Sequence, residues 1–295
     1  MSPTDLTAPI AVLGATGQQG SATVDALLDR GLPVRAITRN VDSAAARAMT
    51  KRDVAVVAAD LETPESIRVA FEGAAAAFAM TSFTAPRGAE REISHGRAIL
   101  DAAQGAGLPF LVYSSVGGAE RNTGIPHFES KRRIEEFLTG SVPVNFIRPT
   151  FFMENLPGMI ARDGAELLVR MPMPGDVPLQ MISVKDIGKA AAALLTRREP
   201  DTAPVEIAGD EVTGERIAQL VAQRFGAAAT YVQLPLDVLG SNDDLKSMLR
   251  WFATPPSFRA DFARTRSLGE RAENRSTVAL KGSRSRSGSG RMTPP

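Results

Sequence analysis

Short apolar runs alternating with longer amphipathic ones decide what this chain can become. PIAVL is followed by a helix-like stretch to Arg30, PVRAIT by VDSAAARAM, VAVVA by TPESIRVAF, and AAFAM by a helix from about Ala89 to Ala106. PFLVY, a helix beginning near His127 and PVNFIR continue the series. Strand, helix, strand in this order predicts a parallel sheet with helices on both faces, because a parallel neighbour is reached only by a crossover. Near-continuous apolar strands are what burial on both faces demands. The expected class is α/β, a doubly wound parallel sheet.

Local signals agree. Thr63 followed by Pro64 and Glu65 reads as a helix start with a cap and a proline at the first position, and Ser183 with Asp186 as a capping box. After Arg148 the alternation loosens: PMPGDVP is a turn-rich loop, Val184 to Leu195 a helix, PVEIA a strand and Thr213 to Phe225 another helix. The expected division is a nucleotide-binding domain over 1–150, with later segments returning to it, and a smaller α+β substrate or lid lobe over 151–268. The basic segment 269–295, ending KGSRSRSGSGRMTPP, cannot support a core and is expected to be disordered.

With 295 residues and 43% apolar content, the chain can bury one large core or two modest ones. Its 34 basic and 33 acidic residues nearly cancel, and residues 271–295 hold a local +5, so the remainder sums to about −4. That balance gives no overall attraction to nucleic acid or to an acidic membrane. Cysteine is absent, which excludes disulfides, thiolate nucleophiles and cysteine metal sites. MSPTDLTAPIAVL has no basic head, and no run approaches the roughly 18 apolar residues of a membrane span, so a cytoplasmic protein is expected.

GATGQQG places Gly14, Gly17 and Gly20 directly between the first strand and the first helix. Glycines there permit a tight turn, let the backbone approach a pyrophosphate and let the helix pack close to the strand, while the helix N-terminus offers free N–H groups. Ordinary turn glycines are the plainer alternative, but the strand–turn–helix context favours a nucleotide site of Rossmann type. The second strand ends ITRN, where an NAD site usually carries an acidic residue. Arg39 stands there instead; its guanidinium can grip a 2′-phosphate in two-point fashion, which favours NADP(H) over NAD(H). A solvated loop arginine is the competing reading. Asp60, at the end of the third strand, could accept from an adenine amino group with Leu61 against the ring, or serve only as an acidic helix-start residue. Thr81, Ser82 and Phe83 lie where such a sheet meets its ligand, and could equally be turn formers.

His127 precedes Lys131 by four residues, just over one helical turn, so the two share a face. With GATGQQG, TRN, YSSVGG, HFESK followed by RRIEEF, and RPTFFMEN in this order, the chain resembles the NmrA-like family of atypical short-chain dehydrogenase/reductases over about residues 9 to 265. It is most similar to the branch that includes the NADPH sensor HSCARG. The resemblance implies NADP contacts from Gly14, Ala15, Thr16, Gly17, Gln18 and Gln19, from Arg39, Asn40 and Ser43, and from Asp60 and Leu61. It also implies contacts from Thr81, Ser82 and Phe83, from Lys131 to the nicotinamide ribose, and from Phe152, Met153, Glu154 and Asn155. A basic residue in the helix after the fourth strand is unmatched, because Ser94 aligns there. The family's final apolar helix has no counterpart after Arg266, which leaves the closing edge of the lobe incomplete.

In orthodox relatives a tyrosine four residues before the lysine protonates the substrate oxygen. Here that place belongs to His127, and neither Tyr113 nor Tyr231 has a lysine four residues on. A neutral imidazole donates a hydrogen bond but is poorly matched to protonating an alkoxide. Catalytic roles for His127 and Lys131 are therefore expected only in reductions that need little acid help. Ser114 and Ser115 lie near the family's serine position and could orient a ligand or simply end the strand. Two functions stay open. One is a redox-sensing or regulatory NADP(H) binder with a protein partner and weak or no carbonyl reductase activity. The other is an NADPH-dependent oxidoreductase for a quinone-like or conjugated small molecule held by Phe151, Phe152, Met153 and the lobe. A zinc site, a hydrolase elbow and a nucleic-acid platform all lack the residues they need.

Overall fold

A computed structural model describes residues 7–84 and 88–268, so the basic tail expected to be disordered lies outside the described residues. The first half alternates strictly: β1 (Ile10–Leu13), α1 (Gln18–Leu28), β2 (Val34–Thr38), α2 (Ala44–Thr50), β3 (Ala55–Ala58), α3 (Pro64–Phe71) and β4 (Ala76–Met80). It continues with α4 (Gly88–Gly105), β5 (Leu111–Ser114), α5 (Pro126–Leu138) and β6 (Val144–Pro149). The second half is mixed: β7 (Phe151–Phe152), β8 (Ile160–Asp163), β9 (Glu166–Met171), β10 (Leu179–Ile182), α6 (Val184–Arg197), β11 (Val205–Ile207) and β12 (Asp210–Val212). It closes with α7 (Gly214–Phe225), β13 (Ala229–Gln233), α8 (Asp243–Phe252) and α9 (Phe262–Leu268).

Seven strands paired in parallel form the large sheet, in the order β3-β2-β1-β4-β5-β6-β11. The order reverses between β1 and β4, and the carboxyl ends of those two strands flank a crevice where a doubly wound sheet binds its ligand. β1 is buried throughout. Ile10 and Val12 enter the core beneath α1, α2 and α6, while Ala11 and Leu13 enter the core beneath α3, α4 and α5. This two-residue alternation with both faces apolar is why the strands read as continuous runs. Each such Ile, Val or Leu contributes roughly 1.5–3 kcal/mol on burial. The sheet is therefore a rigid frame for the polar loops at its carboxyl end.

α6, β11 and α9 fall within 151–268 yet belong to the large sheet. α6 lies directly on α1, where a Cβ added at Gly188 would stand 2.3 Å from the Ala22 carbonyl oxygen. α9 packs on α6 and β11, and its Thr265 hydroxyl accepts from the Ala208 amide. The rest of the second half makes two three-stranded sheets, β12-β10-β7 and β13-β9-β8, with α7 and α8 around a third apolar core. Phe128, Trp251, Phe252 and Phe258 meet there with ring centroids 5.2 to 5.7 Å apart.

The capping box at α6 forms: Ser183 Oγ accepts from the Asp186 amide at 3.1 Å and donates to Asp186 Oδ2 at 2.9 Å. Thr63 differs. It precedes α3 without a side-chain cap bond, and the Ser66 hydroxyl instead donates to the Thr63 and Asp60 carbonyls. Among the described residues no helix is long and apolar enough to cross a membrane.

Candidate functional site

A cleft of about 820 Å³ opens at the crevice between β1 and β4, within the usual range for ligand pockets. Gly14 turns the chain off β1 with φ +68°, a left-handed conformation that favours glycine. At Gly20 a Cβ would stand 2.2 Å from the Gly14 carbonyl oxygen, so α1 can lie this close to the turn only without a side chain there. α1 is preceded by Gly17, which supplies no side-chain cap, and has no acidic residue in its first turn. Its leading N–H groups therefore face the cleft uncovered, a ready site for an anion.

Of the residues expected to bind, Gly14, Thr16, Gly17, Gln18 and Gln19 line the first wall, and Arg39, Asp60 and Leu61 line one end. Thr81, Ser82, Phe83, Phe152 and Asn155 line the other. Arg39 is exposed and has no ion-pair partner among the described residues. Asp60 lines the cleft, and its Oδ1 accepts from the Glu62 amide at 3.0 Å in its own turn. Gln19 is fixed from below by the Ser114 hydroxyl, 2.6 Å from its Oε1.

Other expected residues lie elsewhere. Ala15 is fully buried in the core under α1. Asn40 accepts from the Asp42 amide in its own turn. Ser43 caps α2 by accepting from the Ala46 amide at 3.2 Å. Met153 and Phe151 are packed into the third core, and both Glu154 carboxylate oxygens accept from the Val184 amide at 3.0 Å, at the start of α6. Burial holds the Glu154 carboxyl above the ordinary carboxylate range. Phe83 and Phe152, not Phe151 and Met153, are thus the aromatic residues that line the cleft.

Lys131 is 6% exposed, so the reading of a solvated helix lysine fails. Its Nζ lies 3.1 Å from Glu92 Oε1 and donates to the Thr81 carbonyl at 2.9 Å, the Thr81 hydroxyl at 3.0 Å and the Tyr113 hydroxyl at 3.3 Å. Glu92 is completely buried on α4 and also accepts from the Thr81 and Ser130 hydroxyls. Burial works against the Lys131 ammonium, but the Glu92 carboxylate and the Tyr113 hydroxyl together outweigh it and hold the lysine above its ordinary value. Burial likewise pushes the Tyr113 phenol up to about 12. A tyrosine and a lysine do meet in this chain, beneath the cleft rather than in it. Lys131 touches the cleft only through Thr81.

His127 is also buried, and its Nδ1 lies 2.6 Å from Asp244 Oδ1 on α8. Its ring stacks on Phe83, with centroids 4.1 Å apart and planes at 17°. Sequence reasoning missed Asp244, which has no local signal linking it to α5. It also missed Arg91 and His95, which line the cleft from α4 while Glu62 Oε1 binds both, at 2.7 Å and 2.6 Å. Here a signal existed: the two are four residues apart on the helix after β4 and share a face. Ser94, where a basic residue was sought, is exposed and outside the cleft.

Among known proteins, the NAD(P)H azoreductase of Xenophilus azovorans is 27% identical over 235 residues, covering 77% of this chain and 78% of its own. The NmrA-like family domain-containing oxidoreductase FrzB of Cladobotryum sp. is 36% identical over 158 residues. That match spans 50% of this chain and 47% of FrzB, so the chain aligns with about half the length of that relative. The fold is shared with the negative transcriptional regulator NmrA in complex with NAD, at TM-score 0.80 and 19% identity, covering 94% of this chain and 96% of that one. It is shared too with an NADPH-dependent quinone oxidoreductase from Escherichia coli complexed with NADPH, at TM-score 0.72 and 23% identity, covering 88% and 94%. A family model described as the NmrA-like family matches residues 7–268, the span that carries the sheet, the cleft and the lobe, and the chain belongs to that family.

Proposed function

We propose that the cleft binds a nicotinamide dinucleotide, NADP(H) in preference to NAD(H), and that the chain is an oxidoreductase for a flat, conjugated acceptor of quinone-like type. The observation that carries this reading is the Gly14-to-Gly20 turn. It leaves the uncapped start of α1 facing a cleft at the sheet's reversal point, with Arg39, unpaired among the described residues, at one end. The residues present fit the cofactor. The backbone amides that open α1, at Gln18 and Gln19, would hold the diphosphate, Arg39 the 2′-phosphate, and Asp60 with Leu61 the adenine. Thr81, Ser82, Phe83, Phe152 and Asn155 would surround the nicotinamide half.

When bound, the reduced cofactor supplies a hydride. The chain's own part is orientation and exclusion of water: Phe83 and Phe152 offer flat apolar faces to an aromatic acceptor, and the Lys131–Glu92 pair fixes Thr81 from beneath. The names of the azoreductase and of the quinone oxidoreductase support an acceptor of this class. A redox-sensing binder would use the same cofactor contacts without turnover, so one experiment separates the two. Calorimetric titration with NADPH, NADP, NADH and NAD is followed by a panel of quinone, azo and enone acceptors. Tight NADPH binding with repeated turnover on the panel is expected. Tight binding with none would leave the regulatory reading, and no binding of any nucleotide at millimolar concentration would end both.

A further inference from the structure

α4 sends two side chains, Arg91 and His95, into the lining of the cleft, and both end on one carboxylate oxygen, Glu62 Oε1. Glu62 follows Leu61, and its amide donates to Asp60 Oδ1 at 3.0 Å. Hydrogen bonds with His95 and Arg91 hold the Glu62 carboxyl below the ordinary carboxylate range, so this anchor stays ionised. One residue thus ties the turn after β3 to the helix after β4, at the end of the cleft where Asp60 and Leu61 would meet the adenine. The two attachments leave complementary atoms unspent. Arg91 gives only Nε to Glu62, so the N–H groups of its two terminal nitrogens have no partner among the described residues. Asp60 gives only Oδ1, and its Oδ2 is likewise unpartnered there. An exposed ion pair such as Arg91–Glu62 adds little to stability. What the arrangement does supply is a donor and an acceptor, both on residues that line the cleft and both anchored to the same turn.

We propose that Arg91 selects the base of the nucleotide: beside Asp60, which accepts from the adenine amino group, an Nη–H of Arg91 donates to the neighbouring ring nitrogen N1. The proposal rests on the dinucleotide reading above and adds to it the residue that recognises the base. Adenine carries an amino donor next to the N1 acceptor, and the unspent Asp60 and Arg91 groups are its complement. Hypoxanthine inverts both, with a carbonyl in place of the amino group and an N–H at N1, so acceptor would face acceptor and donor would face donor. A site built to bond a polar group rejects an analogue that leaves its own groups unpaired. Arg39 and Arg91 then divide the adenosine half of the ligand. Arg39 separates NADP(H) from NAD(H), and Arg91 serves both alike. Glu62 is the positioning residue, fixing the guanidinium through Nε and itself held from the other side by His95.

The test is calorimetric titration of the full-length wild type, Arg91→Met and Glu62→Ala with NADPH, NADH and the NADPH analogue that carries hypoxanthine in place of adenine. The wild type is expected to bind NADPH about 10-fold or more tightly than the analogue. Arg91→Met is expected to lose about 10- to 100-fold for NADPH and NADH alike, the scale of a hydrogen bond from a charged group. It should lose little for the analogue, so the base preference narrows. Glu62→Ala is expected to narrow the preference too, although Arg91 is still present; a merely structural ion pair would leave that ratio alone. A loss confined to NADPH would move Arg91 to the 2′-phosphate and overturn the proposal. Equal affinity of the wild type for both bases, or a preference that survives Arg91→Met, would overturn it as well and leave the base to the backbone of the turn. These results strike Arg91 while the dinucleotide reading stands. If the wild type binds none of the nucleotides, that reading fails first and this proposal falls with it.

Discussion

Arg39 stands at the end of β2 with its guanidinium exposed, facing the cleft and unpaired among the described residues. A hydrogen bond between charged groups contributes about 1.5–3 kcal/mol. Arg39→Ala is therefore expected to weaken NADPH binding about 10- to 100-fold and to leave NADH nearly unaffected, read by calorimetry. Equal losses for both nucleotides would remove Arg39 from the 2′-phosphate. At this scale the sequence was legible where a residue's conformation is set by its own backbone, as at Gly14, or its place by a strand end, as at Arg39 and Asp60, which line the cleft. It was misleading at Ser43 and Glu154. Both carry oxygens suited to a ligand, and both spend them on the amides that open α2 and α6. A cap and a ligand contact ask for the same side-chain chemistry, so composition alone does not separate them.

Among the elements, α4 and α5 are joined by the buried Glu92–Lys131 pair, with Thr81 from the end of β4 and Tyr113 from β5 completing its bonds. Removing one member of such a pair leaves an uncompensated buried charge and typically costs 3–5 kcal/mol. Lys131→Met is expected to lower stability in urea by about 3–5 kcal/mol. A lysine serving only as a ribose contact would show no such loss. The sign with pH follows from the raised lysine. Its contribution is complete below the ordinary value of 10.5 and is lost as pH climbs through the higher native value. Stability measured from pH 8 upward should therefore show, above about 10.5, a decline in the wild type that Lys131→Met lacks; an equal decline in both would contradict the pairing. The alternation of α5 was readable from its apolar spacing. Its buried charges were not, since their partners come from three other elements.

At the scale of the whole molecule, the cleft is assembled from both halves, with Phe152 and Asn155 on the chain beyond β6 facing the turn at Gly14. A ligand that binds only this assembled form stabilises it by mass action, by about 2.7 kcal/mol at a hundredfold excess over Kd. For a chain of this size that is expected to raise Tm by about 5–10 °C. Calorimetric scans with NADPH should show the rise, and with the Arg39→Ala variant at the same concentration it should shrink. An identical rise in both proteins would place the stabilising contacts elsewhere.

By itself the sequence determined the doubly wound sheet and the glycine turn. Strand and helix periods, positive φ and crossover length are properties of neighbouring residues, and each is written into a few consecutive positions. Only the tertiary structure decided that α6, β11 and α9 return to the sheet, and that β8, β9, β12 and β13 pair into small sheets. It alone gave Lys131 to Glu92, Arg91 and His95 to Glu62, and His127 to Asp244, 117 residues away. The reason is physical: a polar side chain taken from water must find a partner in whatever packs against it. Which element packs there is settled by the burial of apolar faces, not by the polar residue itself.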